Sequence, residues 1–427
     1  MSSGDGGYSA YDDDFVTNCT SRVTHNYKFG ALGPLTQNNF DTHQAICVWI
    51  MKFMGLLSMI ASYFIMRDMV IRYYNRERIR LTSKVVFELS VGDFFGSFFS
   101  AFMGTWMVPE ESGIYMAAGT VASCTAQGFF KTLFYGIAIT MNAVLAITYY
   151  KLVKNEREDG TRTTRSTRLI LGLPPLIPLL FSICPLFNSG YNYTDIGYCG
   201  IGAFPLGCSV VFEVFHQCTR GTEAVEMKYA ELGYILLINI IIVTSVVLMI
   251  SHAKSKDMKM NTTATNSIPA HNPYDDYATN NNDNHNNNTT TKVVWQGIWY
   301  VCGFMIAWVP WYVWQWIRIT DEGYLVLGKY ESTALLYILS ITNPSQGFLN
   351  SLVFFRPSYL KYRYRDEEEF RLASICRVLN IPVPRWWKSL FKWKEEKEEF
   401  GGVGTTNQEE RIKNAKRDDP QDIGNNT

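Results

Sequence analysis

Four residues of the stretch "CTAQGFFKTLFYG" are spaced to share one face of a helix: Cys124, Gln127, Lys131 and Tyr135. Two of them carry definite chemistry. Lys131 puts an ammonium inside an apolar run, at a cost of about 2.5–3.5 kcal/mol on insertion scales, so an anionic partner is expected. That partner is either the carboxylate or phosphate of a bound molecule or an internal acid, with Glu231 the best placed. Cys124 can form a disulfide if its end of the helix meets an oxidising compartment. Cys199 is the expected partner; Cys208 and Cys218 are the alternatives in the same loop, and Cys19 and Cys47 are further candidate thiols of that side.

A second constellation is "GFMIAWVPWYVWQW", with Phe304 and Trp308 four residues apart and Pro310 just beyond. The two rings share a face, and the proline frees backbone groups, so the spacing predicts a hinge biased by whatever touches Trp308. Tyr312 and Gln315 join Gln127, Lys131, Tyr135 and Trp308 as expected ligand contacts, while Trp314 and Trp316 are expected in an interfacial belt. A third group lies in "TNPSQGFLNSLVFF". Its amides Asn343, Gln346 and Asn350 are tolerable in an apolar helix only under cover of other helices, because an unpaired amide in hydrocarbon is costly. With Asp93 of "LSVGDFF", Asn142 and Asn239, they are expected to form one polar layer. Such a layer is either static glue or an element with two alternative sets of hydrogen bonds.

Membrane-spanning helices must position these groups. The chain has 427 residues with 39 basic and 39 acidic side chains, and only 18% of its residues are charged, against ~25% in a soluble domain. A zero net charge and the lack of a basic motif argue against a nucleic-acid partner. Seven segments reach the roughly 20 apolar residues that a crossing needs. They are Ile46–Ile71, Val85–Trp106, Cys124–Val153, Leu169–Phe187, Tyr229–Ser251, Val293–Ile317 and Thr333–Phe355. The first contains Lys52, and the fourth holds Pro174, Pro175, Pro178 and Pro185. Basic residues such as Arg72, Arg76, Arg157, Arg162 and Lys254 crowd the loops after spans one, three and five, whereas the loop after span two has Glu110 and Glu111 and no Lys or Arg. That bias puts the N-terminus outside and the C-terminus inside.

The expected organisation is an extracellular segment, 1–45, then a bundle, 46–355, with an Asn-rich cytoplasmic loop at 255–292 expected to be disordered. An amphipathic membrane-surface helix follows at 356–380, then a tail at 381–427 whose "PRWWKSLFKWK" suits anionic membrane lipids. Asn18 and Asn192 are the sequons on the expected outer side, hence the candidate glycosylation sites.

In order and spacing, "CTAQGFF", "FMIAWVPW" and "NPSQGFLNSLVFFRP", together with "YCGIGAFPLGC", resemble the seven-helix receptors of diatoms and other protists. Those receptors lie near the cyclic-AMP-receptor and secretin-like branches of the G-protein-coupled receptor superfamily. The resemblance covers roughly residues 46–365. It implies an all-α bundle of seven transmembrane helices in the plasma membrane. Such a receptor binds an extracellular ligand in its outer cavity, shifts the inner ends of its third, fifth and sixth helices, and engages a heterotrimeric G protein. The chain departs from rhodopsin-like receptors in two places. Thr148, Tyr149 and Tyr150 stand where those carry Asp/Glu-Arg-Tyr, and Gly347 stands where their Asn-Pro-x-x-Tyr has tyrosine.

No enzyme and no cofactor are expected, since nothing resembles a nucleotide-binding loop, a metal cluster or a catalytic triad. A microbial rhodopsin would need a lysine in the middle of the seventh span, and Ser332–Phe355 contains none. A seven-helix transporter or channel is the alternative, although repeated halves with broken helices are not evident.

Overall fold

The computed structural model describes residues 37–77, 79–155, 169–194, 197–204, 219–266, 276–319, 329–365 and 378–379. Within them the apolar segments are helical, as they must be where hydrocarbon offers backbone groups no partner. Helix α1 spans Gln37–Tyr74, α2 Leu81–Ser97, α3 Val121–Asn155, α4 Leu176–Phe187, α5 Ala224–Asn266 and α6 Asp276–Ile319. The seventh span is divided into α7 (Lys329–Thr342) and α8 (Gln346–Arg365), joined by a 3₁₀ turn at Asn343–Ser345. Pro344 sits in that turn and has no N–H to offer the preceding one, so the α-helical ladder breaks there. Six helices among the described residues are each long and apolar enough to cross a membrane, and they coincide with the first six expected spans. The protein is a multi-pass, all-α membrane bundle.

The third helix is its axis. It contributes Tyr135 and Ile139 to one buried apolar cluster, Met141 and Leu145 to a second, and Cys124 to a third. The second span departs from α-geometry after Ser97. A π-helical turn covers Phe98–Phe102, with the Met103 N–H reaching back five residues to the Phe98 carbonyl at 2.8 Å. A 3₁₀ turn at Gly104–Met107 follows, entered through Gly104 at φ +34°, which a side chain would resist. In the fourth span, a helical stretch at 169–172 is interrupted by turns at Pro174 and Pro175 before α4 begins.

Three expectations need correcting. Disorder was expected across 255–292, yet α5 continues to Asn266 and α6 starts at Asp276; residues 267–275, which include Pro269 and Pro273, lie outside the described residues. A nucleated helix propagates with one hydrogen bond per residue fixed, and neither extension contains Pro or Gly to stop it. The expected change of element at Phe355 is also absent, because α8 runs through Pro357 to Arg365. By compactness, one unit comprises Met1–Pro357 and a second Ser358–Thr427. Finally, Trp314 is buried in the main core rather than exposed in a belt, while Trp316 is exposed as expected.

Candidate functional site: a cavity beneath a hairpin

A short hairpin caps one end of the bundle. Strand β1 (Tyr191–Tyr193) pairs antiparallel with β2 (Cys199–Ile201), Asn192 standing opposite Gly200. Cys199 is disulfide-bonded to Cys124 at the start of α3, as expected, and both are buried. The alternatives Cys208 and Cys218, and Cys19, lie outside the described residues; Cys47 is a half-buried free thiol. Tyr191 donates from its hydroxyl to the Ser182 carbonyl at 2.8 Å, and burial holds its phenol well above the ordinary value, so it stays a neutral donor.

The carbonyls left open by the irregular end of the second span are met by two side chains. Gln127 is fully buried, and its Nε2 donates to the Phe99 and Gly104 carbonyls, each at 2.7 Å. Its Oε1 accepts the Cys199 N–H at 2.9 Å, so one amide ties the second span, α3 and the hairpin together. Lys52, 6% exposed, donates to the Phe102 carbonyl at 2.9 Å and lies 3.7 Å from the centre of the Trp106 ring. The lysine that interrupts the first span therefore faces the bundle, where a carbonyl and an aromatic face replace its water.

Below the hairpin lies a cavity with about 520 Å³ of empty space, part of it open to solvent. Its walls come from α3, α4, α5, α6 and the 3₁₀ turn of the seventh span, with Lys131, Tyr135, Glu231, Trp308, Trp311 and Asn343 among them. The Lys131 ammonium sits 3.9 Å from the centre of the Tyr198 ring. Glu231 takes Lys228, not Lys131, as its ion-pair partner, at 2.7 Å. Tyr135 is buried, bonds the Ser100 hydroxyl at 2.6 Å, and meets Trp308 edge to face with ring centres 5.5 Å apart. A smaller adjoining space also touches Lys131, Tyr135, Trp311 and Asn343.

Trp308 connects this cavity to the seventh span. Its Nε1 donates to Gln346 Oε1 at 2.5 Å, and its ring stacks on Phe304 and meets Trp311 edge on. One residue further, the Gly347 N–H donates to Ser58 Oγ at 3.1 Å, and Ser58 also accepts from Ser97 at 3.1 Å. A methyl group on Gly347 would lie 2.3 Å from Ser62 Oγ and 2.6 Å from Ser58 Oγ. That closeness gives a physical reason for glycine where rhodopsin-like receptors have tyrosine. A turn beyond, Asn350 Nδ2 donates to Asp93 Oδ2 at 2.7 Å. Asp93 Oδ1, Ser62 Oγ and Gln346 Nε2 are buried with no hydrogen-bond partner.

The expected residues thus divide. Lys131, Tyr135 and Trp308 line the cavity, and Phe304 and Pro310 flank Trp308 on α6, which runs through the proline uninterrupted. Gln127, Tyr312 and Gln315 do not line it. Gln127 is consumed by the three bonds described above; Tyr312 packs on Trp316 and the main core, and Gln315 is buried away from the cavity. The expected single polar layer is corrected to separate groups. Asp93 and Asn350 pair, Gln346 serves Trp308, and Asn343 faces the cavity. Asn142 and Asn239 bond carbonyls of their own helices, Ala138 and Ile235, each at 2.9 Å.

Asn192 is corrected as a glycan acceptor. It is 1% exposed, and its Nδ2 donates to the Ser189 and Gly202 carbonyls. A sugar on that nitrogen would break the hairpin. Asn18 lies outside the described residues. Missed from sequence were Trp311, Tyr198 and Tyr234, the last bonded through its hydroxyl to Thr140 Oγ1. Trp311 is three residues from Trp308, a spacing that shares a helical face as well as the four-residue step to Tyr312 does.

No protein-family model matches the chain, and no curated protein matches it. Among solved structures it is similar to squid rhodopsin, with a TM-score of 0.56 and 13% sequence identity over 81% of this chain and 93% of that one. At that identity the likeness establishes the fold: a seven-helix bundle of the rhodopsin kind.

Proposed function

We propose that the protein is a cell-surface receptor of the G-protein-coupled type. It takes an extracellular ligand in the cavity beneath the hairpin and signals occupancy to a heterotrimeric G protein at the opposite end. One observation carries this reading: Trp308 forms part of the cavity wall and also donates the bond to Gln346 at the head of α8. A ligand touching the ring acts on the only hydrogen bond described for that amide, next to the Gly347–Ser58 and Asp93–Asn350 contacts. A bond that differs between occupied and empty cavities is what a two-state element requires.

Further support comes from the fold shared with squid rhodopsin and from the motifs resembling protist receptors near the cyclic-AMP-receptor and secretin-like branches. The basic loops favour an orientation in the plasma membrane with the hairpin outside, where a Cys124–Cys199 disulfide is chemically at home. On the inner side, Tyr149 of α3 stacks on Tyr300 of α6, ring centres 6.1 Å apart, in a chain that has no Asp/Glu-Arg-Tyr lock. Parting that stack would open the crevice for the G protein. Asn18 is the proposed glycan acceptor, and 356–380 with the following aromatic-basic run is the proposed lipid-contacting segment.

The test is nucleotide exchange on purified heterotrimers co-reconstituted with the full chain. Trp308→Ala is expected to change exchange several-fold while altering ligand affinity much less. Equal losses of both would reduce Trp308 to packing. Ion current or solute uptake without any exchange would instead favour a transporter or channel.

A further inference from the structure

We infer that the ligand is a neutral planar aromatic molecule whose edge carries a hydrogen-bond donor and acceptor side by side, as a lactam does. This rests on the cavity's being the ligand site of the receptor proposed above. The polar side chains of the cavity wall are nearly all committed. Glu231 holds Lys228 at 2.7 Å. Lys131 is engaged already, with the Tyr198 ring centre 3.9 Å from its ammonium. The Tyr135 hydroxyl bonds Ser100, that of Tyr234 bonds Thr140, and Thr132 stands at the hydroxyl of Tyr191. The Trp308 N–H goes to Gln346. A charged ligand would have to take one of the charged groups from its partner, and breaking a buried pair is costly. A neutral ligand need not.

Asn343 is the one amide in the cavity wall, and among the described residues its side chain makes no hydrogen bond. It borders both this cavity and the smaller space adjoining it. A carboxamide presents an acceptor oxygen and an N–H donor in one plane, so an amide edge can meet it with two parallel bonds. Around it Tyr135, Phe181, Trp308 and Trp311 offer ring faces to a flat body. Position matters as well. Asn343 opens the 3₁₀ turn of the seventh span, and Gln346, three residues on, accepts the Trp308 N–H. A ring against Trp308 with its edge on Asn343 bears on both of the elements which that bond joins.

The experiment uses the purified full chain in detergent, without G protein, and four probes built on one fused ring pair. Carbostyril, the lactam, has donor and acceptor together; quinoline has the acceptor alone; quinaldate is an anion, and the aminomethyl analogue of quinoline is a cation. Titration and thermal shift should show carbostyril binding at least about ten-fold tighter than each of the other three. Asn343→Leu should erase the advantage of carbostyril over quinoline. Asn343→Asp, close in shape to the natural side chain, should hand the advantage to the aminomethyl analogue, and this arm still reads out if Asn343→Leu fails to fold. Quinoline or either charged probe binding as tightly as carbostyril overturns the inference. So does an advantage that survives Asn343→Leu, or the absence of carbostyril binding at millimolar concentration. Carbostyril that binds as expected without changing nucleotide exchange would sink the receptor reading and leave the ligand class standing. Exchange that responds to Trp308→Ala without carbostyril binding would do the reverse.

Discussion

The hairpin end and the middle of the bundle treat buried polar groups in different ways. Around Cys124 the second span leaves α-geometry, a hairpin crosses, and a lysine sits in the first span, yet the exposed carbonyls there are taken up by Gln127 and Lys52. A covalent bond reinforces the arrangement. Around Asp93 and Gln346 the helices are more regular, but Asp93 Oδ1, Ser62 Oγ and Gln346 Nε2 are buried without partners, as is the Tyr300 hydroxyl further along α6. The hairpin end has two such atoms of its own, Thr105 Oγ1 and Asn192 Oδ1, but its backbone is pinned by the disulfide and by the Gln127 and Lys52 bonds. A region with surplus donors and acceptors can trade partners at little cost, because the bonds lost are replaced. The bundle thus joins an end braced by a covalent bond to a middle where unpartnered donors and acceptors lie side by side.

Four sets of substitutions should break or sharpen this contrast. Cys124→Ala or Cys199→Ala should cause the largest loss, about 2–5 kcal/mol by the usual scale for native disulfides. The two variants should lower the thermal denaturation temperature in detergent equally; unequal effects would mean that one cysteine serves another purpose. Gln127→Leu should cost about 3 kcal/mol, since three hydrogen bonds at roughly 1 kcal/mol each disappear and the groups they served stay buried. A loss below about 1 kcal/mol would show that the hairpin does not depend on the amide. Gly347→Ala should cost about 1–3 kcal/mol by forcing α1 away from the seventh span, with partial recovery in Ser62→Gly, which removes the nearest obstruction. The smallest effect should have the opposite sign. Tyr300→Phe deletes a buried hydroxyl without a partner and should be neutral or stabilise by up to about 1 kcal/mol. A clear destabilisation would mean that the hydroxyl is satisfied and that the two regions differ less than described here.

Much of the fold was legible in the sequence because the bilayer makes length and apolarity decisive. Six spans follow from that rule, and the seventh is divided at Asn343–Ser345. Cys124 was legible as a bridging cysteine with Cys199 the expected partner, but Cys208 and Cys218 in the same loop kept the pairing open. Lys131, Tyr135 and Trp308 were legible because each occupies a face fixed by a neighbour, Cys124 for the first two and Phe304 for the third. Gln127 shares that face, yet its partners are carbonyls left open by the π-turn and the 3₁₀ turn of the second span, 28 and 23 residues upstream. No periodicity announces those turns. Tyr312 and Trp311 differ by one position on a helix whose rotation the spacing leaves open by tens of degrees. The sequon at Asn192 was misleading because a local pattern cannot reveal that its nitrogen closes a hairpin onto Gly202, ten residues on. Of the polar layer the Asp93–Asn350 pair forms across helices, whereas Asn142 and Asn239 turn back to carbonyls of their own helices, a choice that depth in the membrane does not reveal.

The lengths of α5 and α6 have a mechanical consequence. At 43 and 44 residues, each is roughly 65 Å long, about twice the hydrocarbon thickness. Their apolar stretches end at Ser255 and begin at Val293, so each helix continues past its candidate span. Between Pro310 and the far end of α6 at Asp276 lie about 50 Å of helix. A tilt of only about 10° at the proline would carry that end through about 9 Å, on the same rise per residue. In the receptor proposed above, small displacements of an indole ring would thereby become travel comparable with the width of a helix.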